Sequence, residues 1–160
     1  MFKLIELRPT LFLLEKALTL SAFVSYETQA ADSHAAIFST MAGYENKMFR
    51  VGAEYSLRSL TAATDSAKDV NGNNISVWGV FKATEKLNLL ARYDRYEPNT
   101  DVDNDESALI IAGLDFHPTK NVRFIPNVQV QTFTADDNPD TPVDESKPIN
   151  TAYVTFEYSW

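Results

Sequence analysis

Apolar and polar residues alternate along most of this chain. Over residues 49–58, Phe49, Val51, Ala53, Tyr55 and Leu57 take every second position, and Arg50, Gly52, Glu54, Ser56 and Arg58 fill the gaps. A helix would scatter both sets around its axis, whereas an extended strand sends them to opposite faces. Val122, Phe124, Val128 and Val130 stand likewise against Arg123, Asn127, Gln129 and Gln131. At the C-terminus Ala152, Val154, Phe156, Tyr158 and Trp160 stand against Thr151, Thr155, Glu157 and Ser159. In residues 87–94, Leu87, Leu89, Ala91 and Tyr93 oppose Asn88, Arg92 and Asp94, with Leu90 out of phase. The pattern predicts nine strands, at residues 4–13, 17–27, 36–44, 48–58, 75–83, 87–96, 107–117, 122–134 and 150–160. Residues 75–83 alternate least well. Pro126 lies inside a strand and predicts a bulge or a local break in pairing.

The connections alternate in length. Short turns fall at residues 14–16, 45–47, 84–86 and 118–121, and long loops at 28–35, 59–74, 97–106 and 135–149. Consecutive antiparallel strands would therefore gather all short turns at one end and all long loops at the other. Charge sorts with them. The long loops hold 13 of the 22 acidic residues and only Lys68 and Lys147 among the bases, while each short turn carries a lysine: Lys16, Lys47, Lys86 and Lys120. Acidic loops are soluble in any protein, but the difference between ends suggests two environments. A weak repeat supports the hairpin reading. Glu15-Lys16 opens a strand that closes on Tyr26-Glu27, and Glu85-Lys86 opens one that closes on Tyr96-Glu97.

Composition narrows the function. No apolar run approaches the ~20 residues of a membrane helix. A barrel remains open, since its strands need only ~9–11 residues and show lipid every second side chain. There is no cysteine, hence no disulfide and no thiolate metal site. With His34 and His117 as the only histidines, and Ser33 beside His34 lacking a third member, no catalytic constellation appears. The chain is read as a non-enzyme with no cofactor. A net charge of −8 argues against nucleic acid. Asp101, Asp103 and Asp105 space oxygen atoms as calcium loops do, but without the glycine and distal glutamate of an EF-hand. A solvated acidic loop is the main reading there, and calcium the lesser one.

The last strand resembles the terminal strand of bacterial outer-membrane β-barrel proteins, which end in an aromatic residue preceded by apolar residues at alternate positions. Val154, Phe156, Tyr158 and Trp160 carry the likeness. In that family this strand is read by the barrel assembly machinery, so the resemblance implies that machinery and the lipid bilayer as partners. The stretch Asp115-Phe116-His117-Pro118-Thr119-Lys120-Asn121-Val122 also looks like the last turn of porin-like barrels. The resemblance implies an all-β, antiparallel transmembrane β-barrel in the bacterial outer membrane, one domain over residues 1–160, acting as a channel for passive diffusion of small hydrophilic solutes or ions. Porins often form trimers, which leaves a homo-oligomer open.

No clean signal-peptide pattern precedes the strands, since Lys3, Glu6, Arg8 and Glu15-Lys16 interrupt the apolar residues. Nine strands also leave the first and last parallel, whereas bacterial single-chain barrels have even counts. Both observations favour the C-terminal portion of a larger pore. With the apolar face towards lipid, Glu6, Arg8, Arg50, Glu54, Arg58, Arg92, Asp94, Asp115, Arg123, Gln129 and Glu157 would line the lumen, where mixed charge sets a transverse field. Tyr26, Tyr44, Tyr55, Tyr93, Tyr96, Tyr158 and Trp160 are candidates for an interfacial girdle. Alternation cannot say which face lies inside. A small closed non-conducting barrel, in which the charges pair and plug the interior, and a soluble lipocalin-like ligand-binding barrel stay as alternatives.

Overall fold

A computed structural model describes residues 3–28, 33–61, 69–134 and 147–159. Ten strands follow in order: β1 (Lys3–Leu7), β2 (Thr10–Leu13), β3 (Leu18–Thr28), β4 (His34–Glu45), β5 (Phe49–Thr61), β6 (Val70–Lys82), β7 (Leu87–Glu97), β8 (Ser107–Thr119), β9 (Val122–Phe133) and β10 (Ile149–Tyr158). A single turn of 3-10 helix, Leu14–Lys16, joins β2 to β3. All pairings are antiparallel, and from β3 onward each strand lies beside its neighbour in sequence. The chain is an all-β meander.

Nine expected strands become ten because the first is cut at Pro9. Proline has no N–H to give to the ladder. Its carbonyl instead accepts from the Ala22 N–H at 3.1 Å and the Ser21 hydroxyl at 3.2 Å, so β1 and β2 both stay on β3. Strands β4 to β8 run longer than alternation suggests. β6 begins at Val70, His34 opens β4, and β8 runs on past His117 to Thr119. Opposite Pro126, Leu114 and Asp115 have no pairing partner on β9, which is the expected local break. The register itself shifts only nearer the turn, between Phe116 and Thr119.

Residues paired across neighbouring strands share a face, so the register sorts the whole sheet into two. One face is apolar. Along one row it carries Leu20, Ala42, Ala53, Val77, Tyr93, Ile110 and Val130. The other carries Glu54, Ser76, Asp94 and their neighbours. The two faces also differ in burial. Within β4 to β9 the strongly exposed large apolar side chains lie on the apolar face, with Ile37 and Tyr96 as exceptions. The buried polar side chains Ser25, Ser76 and Asp115 lie on the charged face. In β8, Leu109, Ile110 and Ile111 are alike in hydropathy, yet Ile110 is 48% exposed while Leu109 and Ile111 are half-buried. Side chains crowd on the inside of a bend and splay on its outside, so the sheet curves towards the charged face. No buried apolar core exists among the described residues.

The sheet is open. Its path ends on β1 and β2 at one side and on β10 at the other, with no pairing between them.

Candidate functional site on the concave charged face

Local structure brings the charges of the hollow together at its short-turn end. The Asn46 side chain accepts from the Met48 and Phe49 N–H groups, at 2.8 and 2.9 Å. This Asx turn reverses the chain in three residues and sets Arg50 opposite Glu45 on the charged face. The pair forms a two-pronged contact at 3.0 and 3.1 Å. The β8–β9 hairpin does the same for Asp115 and Arg123. Asp115 is buried at 5% exposure and accepts four donors. Arg123 Nε at 2.7 Å and His117 Nε2 at 2.9 Å reach Oδ1, and Arg123 Nη2 at 3.0 Å and Asn88 Nδ2 at 3.1 Å reach Oδ2. Both oxygens are saturated, which is what permits a carboxylate to sit so deep. Arg123 extends a third bond to Glu157 on β10 at 3.1 Å.

The register places the nine expected lining residues, Arg50, Glu54, Arg58, Arg92, Asp94, Asp115, Arg123, Gln129 and Glu157, on this one face. Glu6 and Arg8 fall on it too, with the Arg8 guanidinium 5.1 Å from the centre of the Phe23 ring. Several of them have partners close by in the sheet. Arg92 reaches Asp94 on its own strand at 2.8 Å, Glu54 accepts from the Ser56 hydroxyl at 3.2 Å, and Gln129 donates to Asn127 at 3.2 Å. Arg50, Arg92 and Arg123 meet their carboxylates locally, on the same strand or a neighbouring one.

The hollow has depth. One cavity of about 540 Å3 is walled by Arg50 of β5, Val80 of β6, Asn88 of β7, Asp115 of β8 and Arg123 of β9. In a flat sheet β5 and β9 would stand about 19 Å apart. A second cavity of about 620 Å3 lies beside it, among Lys82, Lys86, His117 and Lys120. Trp78 also lies on this face, over Gly52, where a Cβ would come within 2.5 Å of the indole ring. Only glycine accepts that approach. Trp78 and Val80 on the charged face, and Gly79 on the apolar one, explain why β6 alternates so poorly in sequence.

The apolar face ends at the short turns in a row of rings: Tyr44, Phe49, Phe81, Phe116, Phe124 and Phe156. Tyr44 and Phe49 lie 5.8 Å apart and Phe124 and Phe156 5.1 Å apart. The tyrosines singled out in the sequence are only part of this row. Tyr26, Tyr55 and Tyr93 lie higher on the same face, and Tyr96 is on the charged face. Phenylalanines supply most of the row, and the signal for them was their place beside each short turn. Val154, Phe156 and Tyr158 lie on the apolar face of the edge strand β10, and Trp160 lies outside the described residues.

At the long-loop end Arg95 binds Glu106, with Glu97 at 3.8 Å. Asn73 donates to Glu97 at 2.7 Å. Glu106, just before β8, has its carboxyl held below the ordinary range by the Arg95 hydrogen bonds. Asp101, Asp103 and Asp105 do not converge. Asp105 accepts from the Asn99 N–H at 3.0 Å, and no group of three acidic or histidine side chains is arranged for a metal among the described residues. His34 is stacked on Tyr26, with ring centres 5.4 Å apart.

Comparison with protein-family models, with curated proteins and with solved structures gives no match.

Proposed function

We propose that this sheet is part of the wall of an outer-membrane β-barrel, and that its concave charged face lines a water-filled path for small hydrophilic solutes or ions. One observation carries the reading: the sheet is inverted relative to a water-soluble fold. Its exposed convex face is apolar, and its buried side chains are polar. In water that arrangement forfeits about 25 cal/mol for each Å2 of apolar surface left uncovered. In lipid it is the stable one, because hydrocarbon solvates the convex face and water the concave one.

The dimensions agree. Phe49 to Leu57 is an unbroken apolar series on β5. It covers about 26 Å along a strand, and tilted by ~40° it covers about 20 Å of height. Aromatic rings close the band at the short turns, and Asn73 and Arg95 close it at the long loops. A lipocalin-like barrel would turn its apolar face inward, so the curvature counts against that alternative. The nearest-neighbour ion pairs leave the hollow unplugged at its short-turn end, which counts against a solid non-conducting barrel.

The chain has no cysteine, so single-cysteine variants report cleanly. In lipid vesicles, Glu54→Cys should react with a charged, membrane-impermeant thiol reagent. Ala53→Cys should resist it and be quenched by probes placed in the acyl chains. Equal labelling at both positions, or failure of the chain to enter vesicles, would sink the proposal.

A further inference from the structure

The short-turn end of the hollow is electropositive in a chain whose net charge is −8. Two of its acids are already spoken for. Glu45 is held by Arg50, and all the acceptor positions of Asp115 in view of the cavity are taken by Arg123, His117 and Asn88. Lys82, on the charged face opposite Asn88, borders both cavities. Lys86 and Lys120, from two successive short turns, border the second with His117. Glu85 is the one carboxylate there, and none of the three lysines has an ion-pair partner among the described residues.

Three ammonium groups brought into one concave site repel each other, and an anion placed among them relieves the repulsion. Three –NH3+ groups carry nine N–H donors between them, which suit a compact ion with several oxygens better than a monovalent halide. We propose that Lys82, Lys86 and Lys120 form an oxyanion site at the short-turn mouth of the hollow, for a phosphate group carried by a free solute or by a lipid headgroup. Asp115 lies in the adjoining cavity, where its oxygens are occupied by Arg123, His117 and Asn88.

This site rests on the concave face being hydrated, and it does not require that the sheet conduct. The test is therefore equilibrium binding to the chain refolded in a neutral, phosphate-free sugar detergent, with inorganic pyrophosphate as the probe. Saturable binding is expected, weakening steeply with salt. Lys82→Gln and Lys120→Gln should each weaken it by roughly tenfold or more, the size of one charged hydrogen bond. Arg58→Gln, at the other end of the same face, should leave it unchanged. A strand-rich circular dichroism spectrum confirms that each variant has folded. Absence of saturable binding to the folded chain, or equal weakening by Arg58→Gln, would overturn the site. Repeating the titration in phosphatidylglycerol vesicles identifies the source. Retained pyrophosphate binding assigns the site to a free solute, and competitive loss assigns it to a headgroup. Cysteine labelling could fail while pyrophosphate still binds, so the two proposals fall separately.

Discussion

At the scale of single residues, the charged face is organised by saturation more than by attraction. Asp115 is tolerated in its position because four donors meet two oxygens, not because one arginine lies near. At the long-loop end the partner is a single arginine. Glu106 receives Arg95 and its carboxyl titrates low for that reason first. A carboxyl with a depressed folded-state pKa contributes stability above its unfolded value near 4.5, and that contribution disappears as pH falls through the folded value. The Arg95 contact that ties residues 98–106 to β7 is thus present at neutral pH and lost in acid. A carboxyl-carbon NMR titration should place the Glu106 midpoint below 4.5 and return it to about that value in Arg95→Gln. An unmoved midpoint in the variant would show that the contact is not made in solution.

At the scale of elements, alternation reveals strands and turns but not inside and outside. Period two divides side chains between faces and is silent about which way the sheet bends. The meander was legible because Asn46 and the Glu-Lys turns punctuate it, and the long loops were legible from their acids. Curvature was not. It arises from the packing of neighbouring strands, and Leu109, Ile110 and Ile111 show how hydropathy can stay constant while exposure alternates. Trp78 was hidden for a related reason: it fills the space above Gly52, one strand away, so its position answers to a partner and not to its own strand. The cut at Pro9 was legible in principle, since proline lacks a ladder donor.

The two faces of β8 give a sharp test of which solvent each meets. Ala112 lies mid-band on the apolar face, and Ile111 beside it points into the hollow. In lipid vesicles Ala112→Arg should cost about 2–4 kcal/mol of unfolding free energy, the penalty for a cation near the midplane of a bilayer. Ile111→Arg should cost less than Ala112→Arg, because water reaches that face, although Arg92 stands directly opposite on β7 and adds like-charge repulsion. Urea titration in vesicles measures both. The reverse order would mean that water covers the convex face.

At the scale of the molecule, the sheet is a wall without a second layer. The large apolar side chains of its convex face, Val77 and Val128 among them, have no layer over them among the described residues. Two free edges add to this exposure. Val154 on β10 is 72% exposed and Ile5 on β1 69%, beside backbone groups that no strand of the sheet pairs. The end strands run in the same direction, so they cannot close on each other by the antiparallel ladder used everywhere else. Amide hydrogen exchange in vesicles reads what meets them. The central strands β6 and β7 pair on both sides, and their amides should be the slowest to exchange. Every second amide of β1 and β10 points away from its single partner and should exchange far faster. Slow exchange at those outward amides would mean that another strand covers the edges, either by parallel closure of this sheet or by strands added between them. Cross-linking Ile5→Cys to Val154→Cys separates these cases: a bond within one chain marks direct closure, and its absence places further strands in the gap.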